Sequence, residues 1–429
     1  MRSKRRFWAT AVLALCIAAA FAPQASGSAV GHAEDIAAGA AGGAIYFGRY
    51  QQEDKGAVTL AGKGGVDWIS APDAKDGGNT HYYAIQPIEW RVLSNENGKL
   101  FLLSEKNLDA KLYNDTYTSV TWETSAIRAW LNGTASGNFL HDAFAPRERP
   151  VIANTQVTNE DNPNYGTPGG SDTADKIFLL SAAEAADAVY GFPAGRRADS
   201  SRVSPNTDYA ASRHSAMYGA GVYCVWWLRS PGDNDDNAAF VAADGSVRYY
   251  GDYVNAAAVG VRPAFNLNLP SVILISAATG GKANLSNPPS LTENTSPSAG
   301  TALKMTIKDP TQTLEVAALN EQSARRVNLP GDLEFSYSDA ATGANQYVSC
   351  ILEDSGGAIK YYGKLADSSG AASGALSVPL PDLPDGAYTL SIFSERANGD
   401  YYTDYAGNPT TMTLAVSASG SGKIAVISL

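Results

Sequence analysis

The residues of this chain whose types could do chemistry gather between positions 226 and 265, where tyrosine, aspartate and asparagine recur among small residues. This mixture is typical of binding loops, because tyrosine offers contact area at low entropy cost while small polar side chains adapt to a ligand. The segment is therefore predicted to bind a ligand. The predicted contact residues are Asp233, Asn234, Asp235, Asn237, Phe240, Arg248, Tyr249, Tyr250, Asp252, Tyr253 and Asn255.

A second set in the same segment is predicted to support these contacts from beneath. Trp226 and Trp227 supply a large apolar anchor, and Arg229 lies beside them. Arg262 interrupts an alternating apolar pattern that predicts a half-buried strand from Val261 to Leu267. The predicted support residues are Trp226, Trp227, Arg229, Gly245 and Arg262.

Asp244 and Gly245 predict a hairpin between these sets. A two-residue loop pairs Ala242 with Val247, whereas a three-residue loop with Gly245 at positive φ places Val241 opposite Val247. We favour the three-residue loop. Its register puts one set of side chains inward (Ala239, Val241, Val247, Tyr249) and the other outward (Phe240, Ala242, Arg248, Tyr250).

Calcium binding is a minor hypothesis for the same segment. Asp233, Asp235 and Asn237 occupy the first, third and fifth positions of a loop whose twelfth is Asp244. However, Ala238 occupies the glycine position and no glutamate closes the loop. No cofactor is otherwise predicted.

Catalytic motifs are weakly represented, so the chain is not predicted to be an enzyme. The four histidines lie in no nucleophile, HExxH or phosphate-loop motif and are interpreted as surface or hydrogen-bonded residues (His32, His81, His141, His214). Glycoside hydrolysis needs only two carboxylates, but sequence spacing does not fix their separation. A secreted glycan-binding or glycan-active protein stays an alternative, as does a structural cell-surface protein.

Several ordered motifs carry a family resemblance: PIEWRVL (87–93), TWETSAIRAWLN (121–132), DKIFLLS (175–181), WWLRSPG (226–232) and GVRPAFNL (260–267). With them, the chain from Ile45 to Leu269 resembles the bacterial domain of unknown function DUF6273. That family is related to C-type-lectin-like folds, including the variable proteins of diversity-generating retroelements. The resemblance implies a fixed framework carrying an exposed face at which Asn, Asp, Tyr, Ser and Ala are exchanged. One departure is that a further domain follows the candidate variable region.

Local patterns agree with an α+β C-type-lectin-like domain, because short helices alternate with short strands without a repeating βαβ order. Apolar alternation predicts strands, and capping residues predict helices that begin at Thr121 and Ser181. The strands are expected at Ile45–Tyr50, Ile88–Val92, Leu100–Leu103 and Asp175–Leu180, and the helices at Thr121–Asn132 and Ser181–Tyr190.

The rest of the chain is predicted as follows. Residues 1–27 form a signal peptide, with a basic start and an apolar middle, so the protein is secreted or at the cell surface and is not inserted in a membrane after cleavage. Linkers are expected at 28–43 and 271–300, on either side of a ligand-binding domain at 44–270. Eight strand patterns between 301 and 418 predict an all-β immunoglobulin-like sandwich, and 419–429 form a tail.

Charge and cysteine content limit the partners. The formal net charge of −11 argues against nucleic acid, because an acidic surface repels phosphates. Cys224 and Cys350 fall in separate predicted domains and are expected to be buried thiols. The chain is thus predicted to be an exported, receptor-like or adhesin-like protein whose partner is an unknown protein or glycan.

Overall fold

A computed structural model describes residues 28–38, 43–57, 67–213, 224–255, 258–318, 326–420 and 422–428. The predicted signal peptide, His214 and part of the first predicted linker lie outside these ranges. Among the described residues, no helix is both long and apolar enough to cross a membrane. Cys224 and Cys350 are both buried, and no disulfide joins them.

The described part of the chain is built mainly from strands, so the predicted α+β C-type-lectin-like domain is wrong. Its three α-helices have five to seven residues each: α1 (Ala126–Asn132), α2 (Phe139–Ala143) and α3 (Asp208–Arg213). Eight 3₁₀ turns accompany them, at Ala33–Asp35, Ala74–Asp76, Trp122–Thr124, Arg149–Val151, Glu184–Ala186, Ala188–Tyr190, Ser200–Arg202 and Leu269–Ser271. The whole is a β fold of several sheets.

Thirteen strands lie in the described ranges before residue 270. They are β1 (Val30–Gly31), β2 (Ile45–Asp54), β3 (Trp68–Asp73), β4 (Asn79–Glu96), β5 (Lys99–Ser104), β6 (Asp109–Lys111), β7 (Thr155–Val157), β8 (Thr173–Asp175), β9 (Trp226–Pro231), β10 (Asn237–Val241), β11 (Val247–Tyr253), β12 (Val259–Val261) and β13 (Ala264–Asn268).

Thirteen more lie in the described ranges after it. They are β14 (Val272–Ala277), β15 (Thr292–Glu293), β16 (Leu303–Lys308), β17 (Glu315–Ala318), β18 (Arg326–Leu329), β19 (Gly331–Ser338), β20 (Gln346–Asp354), β21 (Ile359–Asp367), β22 (Gly374–Leu380), β23 (Gly386–Arg396), β24 (Asp404–Ala406), β25 (Thr410–Ser419) and β26 (Gly422–Ser428). Both predicted linkers therefore contain strands: β1 in the first, and β14 and β15 in the second.

The described strands form four sheets. The largest has sixteen strands, and its main path runs β13-β5-β4-β2-β16-β24-β23-β20-β21-β15. A five-stranded sheet, β11-β10-β9-β12-β6, carries the predicted binding segment. The others are β17-β19-β22 and the pair β7-β8.

Strand β16 joins the two predicted domains. One edge pairs antiparallel with β14, and the other pairs parallel with β2 at its start and with β24 at its end. The side chains of Met305 and Ile307 are fully buried in the hydrophobic core of the N-terminal half. Strand pairing does not by itself fix a domain boundary, so the division of the chain into domains stays a prediction.

All eight strand patterns predicted between residues 301 and 418 fall on strands. The immunoglobulin-like sandwich is not confirmed, however, because β16 belongs to the sheet shared with the N-terminal half. Local alternation identifies a strand, but it does not identify the strand's partners.

A buried ionic cluster lies close to this junction. The Nζ atom of Lys282 is 2.7 Å from Oδ2 of Asp404, and Lys282 also forms an ion pair with Glu395. Lys304 approaches the same oxygen of Asp404 at 2.9 Å, and the Tyr362 hydroxyl donates to Glu395 at 2.7 Å. The carboxylates are fully buried, so each cation satisfies a charge that would otherwise be costly to bury.

The predicted helix at residues 121–132 is interrupted. Thr121 caps only the 3₁₀ turn Trp122–Thr124, and Ser125 is extended (φ −69°, ψ 145°) before it caps α1 through its side chain. Trp122, Ile127 and Leu131 are buried, because the turn and α1 direct them into the same core, whereas Trp130 is only partly buried.

Two further local predictions are wrong in extent. The strand expected at 175–180 ends at Asp175, because the side-chain oxygen of Asn132 accepts hydrogen bonds from the amides of Lys176 and Ile177. The capping box of Ser181 and Glu184 is present, with contacts of 2.8 and 3.0 Å. It opens two 3₁₀ turns rather than a helix, since Asp187 between them is extended.

Candidate functional site

The hairpin β10–β11 presents the predicted contact residues. Val241 pairs with Val247 and Phe240 with Arg248, which confirms the register of the longer loop. Gly245 has φ 77°, and a Cβ at this position would lie 1.9 Å from the carbonyl oxygen of Asp199. Glycine is therefore required at this turn by both its conformation and its close approach to the neighbouring loop.

Arg202 holds this turn from beneath, and sequence reasoning missed it. Its side chain is fully buried, and Nε donates to the carbonyl of Gly245 at 2.7 Å. Its Nη1 donates to the carbonyls of Pro193 (2.9 Å) and Ala185 (3.2 Å). Nothing in the local sequence distinguishes Arg202 from the exposed Arg197 nearby, so no sequence signal could have found it.

The tryptophan anchor is buried as predicted. Trp226 and Trp227 have no exposed surface, and their indole N–H groups donate to the carbonyls of Arg202 (3.1 Å) and Lys111 (3.0 Å). Arg262 lies 5.1 Å from the Trp226 ring centroid, and burial lowers the pKa of its guanidinium to about 9. The predicted strand at 261–267 is broken at Arg262 into β12 and β13, which belong to different sheets.

Arg229 ties β9 to two loops. Its guanidinium makes a two-pronged ion pair with Glu184, and it also donates to the carbonyls of Leu179 (2.9 Å) and Thr158 (3.0 Å). Only 5% of Arg229 is exposed. The planar guanidinium carries five N–H donors and can bond the carboxylate and both carbonyls at once, so lysine would not replace Arg229.

The loop after β9 is fixed by its backbone. Asn162, buried to 1% exposure, donates to the carbonyls of Gly232 (2.9 Å) and Tyr249 (2.7 Å). The amide of Asp233 donates to the carbonyl of Tyr250 at 2.8 Å, and the carbonyl of Asp235 accepts from the amide of Val120 at 2.9 Å. The side chains of this loop are therefore presented on a defined backbone.

Three exposed tyrosines lie at the loop after β9 and the hairpin β10–β11. Tyr250 and Tyr253 are 46% and 50% exposed, and Tyr117 is 58% exposed. The rings of Tyr117 and Tyr253 lie 5.4 Å apart, edge to face. Tyr165, also exposed, follows Asn162 in the adjoining loop. We define the tyrosine face as Tyr117, Tyr250, Tyr253, Asp233, Asn234, Asp235, Asp236 and Asp252.

Tyr117 was missed from the sequence, although it was within reach of the same reasoning. It lies in the stretch YNDTYTS (113–119), whose mixture of Tyr, Asn, Asp, Thr and Ser matches that of the predicted binding segment. Its hydrogen bond to Asp236 raises the pKa of the Tyr117 hydroxyl to about 12. Burial raises the pKa of Asp252 in the same face.

The predicted contact residues differ in exposure. Exposed ones are Asn234, Asp235, Tyr250 and Tyr253, whereas Asp233, Asn237, Arg248, Tyr249, Asp252 and Asn255 are half-buried. Phe240 is 8% exposed, because it packs between the rings of Trp227 and Tyr250 at centroid distances of 6.5 and 6.0 Å. Phe240 thus supports Tyr250, and Tyr249 packs inward as its register predicted.

The predicted calcium loop is not formed by these residues. Residues 237–241 form β10 and pair on both sides, so Asp233 and Asp244 lie beyond opposite ends of a strand and do not surround one ion. The side chain of Asn237 donates to Asp233 at 2.7 Å. Asp244 lies at the opposite end of β10, where it accepts from the hydroxyl and amide of Ser246.

A cleft of about 380 Å³ adjoins the turn end of the hairpin. Arg196, Arg197 and Arg248 line it, together with Asp244 and Tyr250. Three cations against one carboxylate make this end basic, in contrast to the acidic tyrosine face. The two ends of the hairpin would therefore prefer groups of opposite charge.

Fold and site together define a multi-sheet β protein whose five-stranded sheet presents an aromatic and acidic face. Residues 97–269 match the model of the family described as "Domain of unknown function (DUF6273)". The match supports the domain family expected from the motifs, and it spans β5 to β13, including the whole tyrosine face. No curated protein and no solved structure matches the chain.

Proposed function

We propose that this protein binds a protein or glycan ligand through the tyrosine face. The observation that carries the proposal is the exposure of three tyrosine rings beside four carboxylates on a backbone fixed by buried hydrogen bonds. A surface that is already ordered loses little conformational entropy on binding. Exposed tyrosines add apolar contact area and a hydroxyl at each position.

The charge of the face narrows the ligand class. Asp233, Asp235, Asp236 and Asp252 accept hydrogen bonds when ionised, so the ligand would present hydroxyl, amide or cationic donors. A hydroxyl-rich glycan and a basic protein surface both meet this requirement. Nucleic acid does not, because its phosphates would face these carboxylates.

Diversification of the face is the finer part of the proposal. The support residues are buried, whereas most predicted contact residues keep solvent-accessible surface, so exchange at the latter would disturb the core little. Sequencing codons 226–265 across a population of the source organism tests this point. Changes confined to the Asn, Asp, Tyr and Ala positions would support a diversified face on an exported or surface-displayed receptor, and an invariant segment would contradict it.

Binding itself is tested by a triple substitution, Tyr117→Ala, Tyr250→Ala and Tyr253→Ala. Wild-type protein is first screened on a glycan array and on a panel of surface proteins, and the dissociation constant of each hit is measured by biolayer interferometry. We expect the triple variant to bind at least about tenfold more weakly, since central aromatic contacts dominate binding energy. Tyr402→Ala removes a tyrosine of similar exposure (40%) outside the face and serves as the control.

Two outcomes would contradict the proposal. If the folded triple variant binds every hit as wild type does, the tyrosine face is not the binding surface. If neither panel yields a hit with the wild-type protein, the structural cell-surface alternative is favoured.

A further inference from the structure

A group of metal-ligand side chains lies in the large sheet, outside the residues that match the family model. Asp54 ends β2, Asp73 ends β3 and His81 lies near the start of β4, so the β3–β4 hairpin and its neighbour bring the three together. One ligand atom from each lies within 4.8 Å of the others.

The distances suit a small cation. The Nδ1 atom of His81 is 2.8 Å from Oδ2 of Asp54 and 3.7 Å from Oδ2 of Asp73. Ligands that bind zinc at 2.0–2.2 Å lie about 3.0–3.5 Å from one another around the ion. Shifts of less than about 1 Å would therefore give a coordination shell.

Each carboxylate is oriented by a backbone amide. The amide of Gly56 donates to Oδ1 of Asp54, and the amide of Lys75 donates to Oδ1 of Asp73, both at 2.7 Å. These bonds occupy one oxygen of each residue. The Oδ2 atoms of both face His81, and Oδ2 of Asp73 also accepts a hydrogen bond from the Tyr83 hydroxyl at 3.1 Å. The orientation is independent of the imidazole and is the arrangement that a preformed metal site requires.

The imidazole is oriented in the same way. Its Nε2 atom lies 3.0 Å from Oδ2 of Asp76, while Nδ1 faces Asp54 and Asp73. A carboxylate on the far nitrogen of a ligating histidine fixes the tautomer and raises the basicity of the other nitrogen. Asp76 would thus favour a lone pair on Nδ1, where a metal ion would bind.

Charge at the cluster also favours a cation. Three carboxylates meet one imidazole, so the group stays negative even when the ring is protonated. In the described ranges, no lysine or arginine forms an ion pair with Asp54, Asp73 or Asp76. Asp73 is 6% exposed, which makes an unneutralised charge there expensive.

We propose that Asp54, Asp73 and His81 bind one divalent transition cation of the zinc or manganese class, with Asp76 positioning His81. An imidazole nitrogen among the ligands favours these ions over calcium and magnesium, which prefer oxygen alone. Three protein ligands leave at least one coordination position for water.

The test is a zinc titration of the purified chain, prepared without a polyhistidine tag and stripped with a chelator. Isothermal titration calorimetry should show one Zn²⁺ per chain, and Co²⁺ should give a visible absorption band from the ligand field. Asp73→Asn should weaken Zn²⁺ binding at least about tenfold, and Asp76→Asn by about tenfold, because positioning carboxylates typically contribute 10–100-fold.

His141→Gln is the matched control. His141 also faces a carboxylate, Asp142, at 2.8 Å, but the described residues place no third ligand beside that pair. Circular dichroism in the presence of chelator tests whether each variant is folded. If Asp73→Asn does not fold, Asp54→Asn is used in its place. The proposal would be overturned if the wild type shows no saturable Zn²⁺ binding. It would also be overturned if the Asp73→Asn and His81→Gln variants bind Zn²⁺ as tightly as the wild type does.

Discussion

Replacing Arg202 by methionine should strongly destabilise the protein. Arg202 donates to four carbonyls, of which those of Gly245 and Ala185 are bonded in fully buried surroundings and those of Pro193 and Arg197 in partly buried ones. Each buried carbonyl that loses its donor costs about 1–3 kcal/mol. The two buried ones together cost about 2–6 kcal/mol.

Part of this cost is offset. Burial lowers the pKa of Arg202, which shows that the charged side chain is itself expensive to bury. Methionine avoids that expense and fills much of the same volume. We therefore expect a net loss of about 3 kcal/mol in the free energy of unfolding and a melting temperature lower by about 4 °C.

Differential scanning calorimetry and urea unfolding followed by tryptophan fluorescence measure this effect. Arg197→Met is the matched control, because Arg197 is exposed in the same loop and its side chain forms no ion pair within the described residues. If Arg202→Met and Arg197→Met change the free energy of unfolding equally, the turn does not depend on the buried guanidinium.

Three further predictions concern other parts of the fold. The hydrogen bond to Glu353 raises the pKa of His32. This contact therefore stabilises the protein below about pH 6.5, and the stabilisation is lost as pH rises through the raised pKa. His32→Asn should lower the melting temperature at about pH 5.5 and leave it unchanged at about pH 8.5. Gly251→Ala should cost about 1–3 kcal/mol more in urea unfolding than Gly98→Ala, since both glycines have positive φ but only the first lacks room for a Cβ. Glu395→Gln should lower the free energy of unfolding by about 3–5 kcal/mol, because it leaves the buried ammonium of Lys282 without one of its two carboxylates. An unchanged free energy of unfolding would mean that this ion pair does not contribute to stability.

Local patterns predicted much of the secondary structure. Alternating apolar residues located β2, β4, β5 and eight of the eleven described strands after residue 301, because burial of every second residue can be read from the sequence. Strands β18 and β24 were not predicted, and β26 lies in the predicted tail. Asp244 and Gly245 located the hairpin and its register, since turn geometry depends on neighbouring residues.

Long-range pairing could not be predicted in this way. The helical spacing at 121–132 was real, but Ser125 ended one turn and began another, and Asn132 prevented a strand at 176–180 through its side chain. No local signal showed that β16 would bridge two groups of strands. These features depend on contacts between residues far apart in the sequence, and they account for the wrong α+β prediction.

The candidate site was predicted in composition more than in geometry. Exposed tyrosines and acidic residues were expected, and Tyr250, Tyr253 and Asp235 are exposed on the hairpin and its loop. Phe240 was expected to face a ligand, but flanking strands and aromatic rings bury it. The cluster at Asp54, Asp73 and His81 was not predicted, because its members lie on three strands.

The position of β16 has a consequence for folding during translation. During synthesis, residues 43–277 emerge from the ribosome before β16, so β2 and β14 first have unsatisfied backbone edges that can pair with other chains. The N-terminal half cannot complete its strand pairing at β2 and β14 until β16 has been translated. A fragment that stops near residue 300 should therefore be prone to aggregation, even though it would contain the entire tyrosine face.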